Sequence, residues 1–258
     1  MKKVKINKKA LALLTAGFVL TGCTGNATTK PKEEVKIETE IEKDNPKEEE
    51  TKVIETKTLK TNINFYVKEK TNLKDINGNA ISGLDKYDVG REIEKIDNES
   101  KVKIKGKIGY VDSSKIDVLT GTYAIADISS QELKVYEGVK VLLETPIVSG
   151  KFSSPSTIGC FKIYSKTRNR YLKGPGYQSY VDIMMKYHNG EGLHDAEYHT
   201  DYDKNGKVIK RHGWRNKESF GGTTYMYHGS HGCLNMPHDA AIEAGKYLEI
   251  GDKVLVKE

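Results

Sequence analysis

From Phe65 onward the chain is cut into short apolar runs by Gly, Asn and Asp turns, and this spacing restricts its fold more than any other feature. The runs "INFYV", "DINGNAIS", "DVGREIEKI" and "KVKIKGKIGYV" follow one another up to about Leu119. They alternate apolar with polar residues, the period of a half-buried strand. The spacing predicts a small all-β barrel over residues 61–120. A second β segment starts near Thr122, where "TYAIADISSQELKVYEGVKVLLETPIVSGK" reads as three strands. The last two flank a turn at Glu137–Gly138 and form a hairpin. "STIGCFKI" and the closing "GDKVLVK" read as further strands. Helical spacing shows in "PHDAAIEAGKYL", through Ala241, Ala244 and Leu248, with Pro237 suited to a first turn. The expected fold class is mainly β with short helices.

The first 60 residues are of another kind. Between Thr24 and Lys60 there is no aromatic residue, and eight lysines alternate with ten acids. Such a stretch cannot bury enough apolar surface to fold alone, and Pro31 and Pro46 argue against a long helix. It reads as an extended, disordered tether. Before it, Lys2, Lys3, Lys5, Lys8 and Lys9 precede the apolar run Ala10–Gly22. A basic start and a short apolar run are the pattern of a secretory signal peptide, and thirteen residues fall short of the roughly 20 that span a bilayer. These five lysines supply most of the formal charge of +6, leaving about +1, so no basic nucleic-acid footprint remains. The run ends in "LTGC", which resembles the lipobox of bacterial lipoproteins. The resemblance implies a signal peptide over 1–22, lipidation at Cys23, a tether over 23–60, and a location on the outer face of the cytoplasmic membrane, facing the wall. Within 61–120, the ending "GKIGYVDSSKI" resembles bacterial SH3-like domains, modules that bind wall material or act as spacers.

All seven histidines fall between His188 and His238, and Cys233 lies among them in "HGSHGCLNMP". Histidine clustering serves either a metal or a nucleophile. A zinc site would draw on His194 with His199, or His228 and His231 with Cys233. Structural zinc usually pairs its ligands in two knuckles, and the window holds one cysteine and no His-Glu-x-x-His. No metal or cofactor is expected. A nucleophile explains the glycines better. A thiolate attacking an amide creates an oxyanion that needs open backbone N–H groups, and Gly232 leaves the backbone before Cys233 unobstructed. An ordinary thiol is only slightly ionised at neutral pH, so a histidine is needed to take its proton. Cys160, between Gly159 and Phe161, has no neighbouring base in sequence and reads as a structural thiol. An exposed reactive thiol and a buried one are poor disulfide partners, so both are expected free.

"SHGCLNMP" resembles the signature of the L,D-transpeptidase (YkuD) family, Ser/Thr-His-Gly-Cys-x-Asn. "ISSQELKVY", "GLHDA" and "WRNKESFGG" are similar to further stretches of that family, and the likeness covers about residues 122–257, the whole of a second domain over 121–258. It implies a sandwich-like mixed sheet with short helices as the catalytic domain. It also implies a Cys233 nucleophile, with Ser230, His231 and Gly232 shaping the oxyanion loop and Trp214, Arg215 and Asn235 along the substrate path. By the family's count, His212 stands at the base's distance from Ser230; by its neighbours, His194 is the base. "EYHTDYDKNGKVIKRHG" reconciles the two as an inserted hairpin. Turning at Asn205–Gly206, it would pair His199 with His212, Thr200 with Arg211 and Asp203 with Val208. His194, at the end of a strand through "VDIMMKYHNGEGL", is therefore the expected base and His212 the alternative. The implied reaction joins peptidoglycan stem peptides, a donor tetrapeptide and an acceptor amine, in 3-to-3 cross-links through a Cys233 acyl-enzyme, and implies acylation by carbapenems. Water as acceptor would give an L,D-carboxypeptidase instead. A membrane-tethered wall-binding protein with an inactive domain is a third reading, against which an intact cysteine and base stand.

Overall fold

The computed structural model describes residues 58–174, 177–196, 198–202, 208–213, 220–223 and 225–258, with 198–202 and 208–213 as backbone. The expected signal peptide, Cys23 and nearly all of the tether lie outside the described residues, as do Trp214, Arg215 and the Asn205–Gly206 turn.

Alternation along the first runs places one residue in two on a buried face. Seven strands form an antiparallel sheet: β1 (Thr58–Val67), β2 (Thr71–Lys74), β3 (Ala80–Leu84), β4 (Val89–Ile96), β5 (Glu99–Ile104), β6 (Lys107–Asp112) and β7 (Ile116–Leu119). Their order is β3-β2-β6-β5-β4-β1-β7. Phe65, Val67, Leu73, Leu84, Val102, Ile104 and Val111 fill its core. Each such side chain contributes about 1.5–3 kcal/mol by leaving water.

Two mixed sheets follow. The first joins β8 (Thr122–Asp127), β9 (Glu132–Glu137), β10 (Lys140–Pro146), β11 (Gly159–Lys162) and β18 (Lys253–Lys257) in the order β10-β9-β8-β18-β11. The second joins β12 (Ser165–Gly174), β13 (Tyr177–His188), β14 (Glu191–Asp195) and β17 (Leu234–Met236) in that order. Each holds one parallel pair, β18 with β8 and β14 with β17. Helix α2 (His238–Tyr247) packs Ala241, Ala244 and the following Leu248 into a core with Leu133, Ile147, Ile183, Leu193 and Val254. A single helical turn, α1 (Tyr225–His228), precedes the Cys233 loop.

The run read as one strand ending at His194 is instead the β13–β14 hairpin. Asn189 (φ 39°) and Gly190 (φ 90°) turn it, both left-handed, the requirement of a type I′ turn. The strands β15 (Tyr198–Tyr202) and β16 (Val208–Gly213) pair antiparallel. His199 pairs with His212 and Thr200 with Arg211. Val208 pairs with Tyr202 after a register shift; its counted partner, Asp203, lies outside the described residues.

The seven-stranded sheet meets the five-stranded sheet through Tyr66, Leu119, Tyr123, Ile125 and Leu255. Polar bonds support this contact: Asn64 Nδ2 donates to Tyr123 Oη at 2.7 Å, and Lys253 Nζ donates to Asp117 Oδ2 at 3.1 Å. Cys160 sits at the same boundary beside the Tyr66 hydroxyl, half-buried and unbridged.

Candidate active site

Cys233 stands where two backbone ladders converge. On one side β14 runs parallel to β17, with Leu193 opposite Leu234 and His194 opposite Asn235. Carried back one step, that register sets Gly192 beside Cys233. On the other side the segment after β10 holds the loop. Val148 exchanges both backbone bonds with Asn235, each at 2.9 Å, Ser230 N–H donates to the Ser149 carbonyl at 2.9 Å, and Lys151 N–H donates to the Ser230 carbonyl at 3.1 Å. Gln131 fixes that segment from behind, donating from Nε2 to Ser149 Oγ at 2.8 Å and accepting Ser149 N–H at 2.9 Å.

The loop is stiffened from within. Ser230 Oγ accepts the Gly232 N–H at 3.0 Å and donates to the Cys233 carbonyl. Ser156 Oγ donates to the Gly232 carbonyl at 2.7 Å. Gly232 has φ of +113°, which L side chains rarely adopt, and a Cβ there would lie 3.1–3.2 Å from the Glu191 side chain. The backbone conformation there calls for glycine, and an added side chain would also have to displace Glu191 slightly.

His194 is buried and hydrogen-bonded to the Cys233 sulfur. Its Nδ1 lies 2.8 Å from the Asp195 backbone carbonyl. A carbonyl only accepts, so Nδ1 carries a proton and Nε2 is left for the sulfur. The strand end beneath is pinned by the Asp195 carboxylate. Its Oδ1 accepts the Asp182 and Ile183 N–H groups, each at 2.9 Å, tying β14 back to β13.

The electrostatics favour charge separation. Burial pushes the Cys233 thiol up, but the His194 hydrogen bond and charge, with the Gly192 N–H donated to the sulfur, bring it below the ordinary thiol value. Glu191 opposes this. Burial pushes His194 down, and the sulfur and the Asp195 carbonyl raise it above the usual histidine value. Both shifts point to a thiolate–imidazolium pair. Cys160 moves the other way, since burial raises its thiol. Iodoacetamide should therefore label Cys233 at a lower pH than Cys160, read by peptide mapping across a pH series. Parallel labelling, or Cys160 reacting first, would contradict this electrostatic picture.

Two residues expected at the site are placed differently. The Gly232 N–H, expected to face an oxyanion, is occupied by Ser230 Oγ. Asn235, expected along the substrate path, is 2% exposed within β17 because its strand is covered on both edges, and its Oδ1 has no hydrogen-bond partner. His231 is exposed at the rim, where Lys151 Nζ donates to its Nε2 at 3.3 Å, and Ser230 braces the loop from within. His212 enters only as a backbone position opposite His199. The sequence reading missed Gly192, Glu191, Thr157 and Ser156, which reach the loop only through tertiary pairing. The local signal for Glu191 is its place three residues before His194, next to a turn pair.

The described residues gather metal-type ligands elsewhere. Asp182, Asp195 and His238 bring ligand atoms within 4.8 Å of one another. This set is closed on itself: His238 Nε2 pairs with Asp182 Oδ2 at 2.7 Å, and Asp195 Oδ1 holds two amides.

A family model described as YkuD, the L,D-transpeptidase catalytic domain, matches residues 121–256, more than half of the 258. No curated protein matches the chain. Among solved structures, a crystal structure of an Enterococcus faecium L,D-transpeptidase mutant is 32% identical, with a TM-score of 0.45, over 54% of this chain and 50% of that one. The NMR structure of the catalytic domain of the E. faecium enzyme is 33% identical, with a TM-score of 0.44, over 54% of this chain and 98% of that one. An L,D-transpeptidase from Mycobacterium smegmatis is 20% identical, with a TM-score of 0.43, over 62% of this chain and 67% of that one. The chain spans about half the length of the first of these.

Proposed function

The chain belongs to the YkuD family of L,D-transpeptidase catalytic domains, and from that premise we propose that it forms 3-to-3 cross-links between peptidoglycan stem peptides through a Cys233 acyl-enzyme. The observation that carries the reading is the buried hydrogen-bonded pair of Cys233 and His194, with the ring's tautomer set by the Asp195 carbonyl. The Cys233 thiolate attacks the carbonyl joining the third and fourth stem residues, and the terminal D-residue leaves with a proton from His194. The acceptor amine then attacks the thioester while His194 takes its proton. The Gly192 N–H steadies the sulfur while it carries negative charge.

The full chain incubated with tetrapeptide-stem muropeptides should release the terminal D-residue and yield cross-linked dimers, read by mass spectrometry. Tripeptide without dimer would make it an L,D-carboxypeptidase, and no turnover would leave a wall-binding role. A carbapenem should leave a mass adduct on Cys233; an adduct that survives Cys233→Ala would count against the reading.

The anchoring is proposed on the lipobox alone. Cys23 carries a lipid, the tether spaces the domain from the membrane, and residues 61–120 act as an SH3-like module. Labelled palmitate that still enters a Cys23→Ala chain would reject the anchor. Sedimentation with purified sacculi would separate a wall-binding module from a spacer.

A further inference from the structure

The carboxylate of Glu191 has no place in the scheme above, yet it lies against the reactive loop. It accepts the Thr157 N–H at 3.1 Å and the Thr157 Oγ1–H at 2.7 Å. It also borders Gly232, where the missing Cβ would lie 3.2 Å from Oε1. Its field reaches Cys233 and opposes ionisation of the thiol. An enzyme that needs a thiolate gains nothing from that opposition. The Thr157 clamp, N–H on Oε2 and hydroxyl on Oε1, does not require it either, because a neutral amide could accept the N–H on its oxygen and donate from its NH2 to the hydroxyl. A carboxylate has about four acceptor sites, so two donors leave it with capacity for a third.

We propose that Glu191 is the acceptor-binding residue, receiving the acceptor as a primary ammonium group beside the Cys233 thioester. This rests on the transpeptidase reading above and adds which group selects the amine over water. A primary amine enters as an ammonium at neutral pH, with three donors and no lone pair for attack. Glu191 holds it in place as the ammonium, and it becomes nucleophilic on losing one proton to solvent as it moves from the carboxylate to the thioester. As the C–N bond forms, a second proton passes to His194. The C–S bond breaks, and its electron pair leaves with Cys233 as thiolate, restoring the ion pair. Water has no charge for Glu191 to recognise, so the carboxylate favours transfer over hydrolysis.

The test is the ratio of dimer to tripeptide formed by the full chain at fixed donor and varied amine acceptor. In Glu191→Gln the ratio should fall about tenfold, the order of one close charge pair in a half-exposed site, through a raised KM for the acceptor. Acylation by the donor should be no slower, and the pH midpoint for iodoacetamide labelling of Cys233 should move down. Thr157→Val removes a clamp bond and keeps the charge, so it should hold the wild-type ratio. An unchanged ratio in Glu191→Gln overturns the proposal, as does an equal fall in Thr157→Val, which would mark a structural clamp. Should Glu191→Gln not fold, the wild-type ratio still decides. It should fall as salt rises from about 0.02 to 0.5 M while acylation holds, and a flat ratio overturns the proposal. Absence of any acyl-enzyme on the wild-type chain would instead defeat the transpeptidase reading itself.

Discussion

Replacing Cys233 with alanine should abolish turnover of stem peptides, a loss of about 10⁴–10⁶ in rate, because the attacking atom is removed and its partners have no substitute. The fold should survive. The loop is held by Val148, Ser149, Ser156 and Ser230 through bonds that do not involve the sulfur. Release of the terminal D-residue measures the first expectation and a thermal melt the second. Cys160→Ala should keep most activity, since that thiol sits between the first two sheets beside Tyr66. If the Cys160 variant were the inactive one, the assignment of the two thiols would be wrong.

The second large effect belongs to His194. His194→Ala should lower the acylation rate by about 10²–10⁴, the usual worth of a positioned general base. The pH profile supplies a further sign. In the wild type, acylation should rise as pH passes the lowered thiol value and the ion pair forms. It should fall again once the raised His194 value is passed and the imidazolium that protonates the leaving amine is lost. Without the ring, the rising limb should move toward the ordinary thiol range, because the interactions that offset the burial of Cys233 are gone. His212→Ala should lose far less, its backbone lying opposite His199 in the β15–β16 pair. A His212 variant crippled as deeply as His194→Ala would reverse the assignment.

Much of this arrangement was legible in the sequence because it is written locally. The strand runs, the helix after Pro237 and the pairing of His199 with His212 each follow from turn chemistry or periodicity within a few residues. The neighbours of His194 pointed to a buried ring that interacts with the sulfur, whereas counting along the chain pointed to His212, which is described only as a backbone position opposite His199. What was not legible depends on pairing across the chain. The Gly232 N–H looked open for an oxyanion until Ser230 folded back onto it. Asn235 looked available until Val148 and His194 flanked it in the sheet. The Asn189–Gly190 turn hid inside an otherwise continuous strand pattern. Gly192 and Glu191 act on Cys233, and Thr157 holds Glu191, only because β14 runs parallel to β17 and the chain before β11 passes beside β14.

The central claim is that Cys233, paired with His194, carries the donor stem as a thioester. Intact mass of the full chain after brief mixing with a tetrapeptide-stem muropeptide, followed by peptide mapping, tests it most directly. The expected result is an adduct equal to the donor less its terminal D-residue, on the peptide containing Cys233, and discharged by an added amine. Turnover of the same substrate without that adduct, or with the adduct on Cys160, would contradict it.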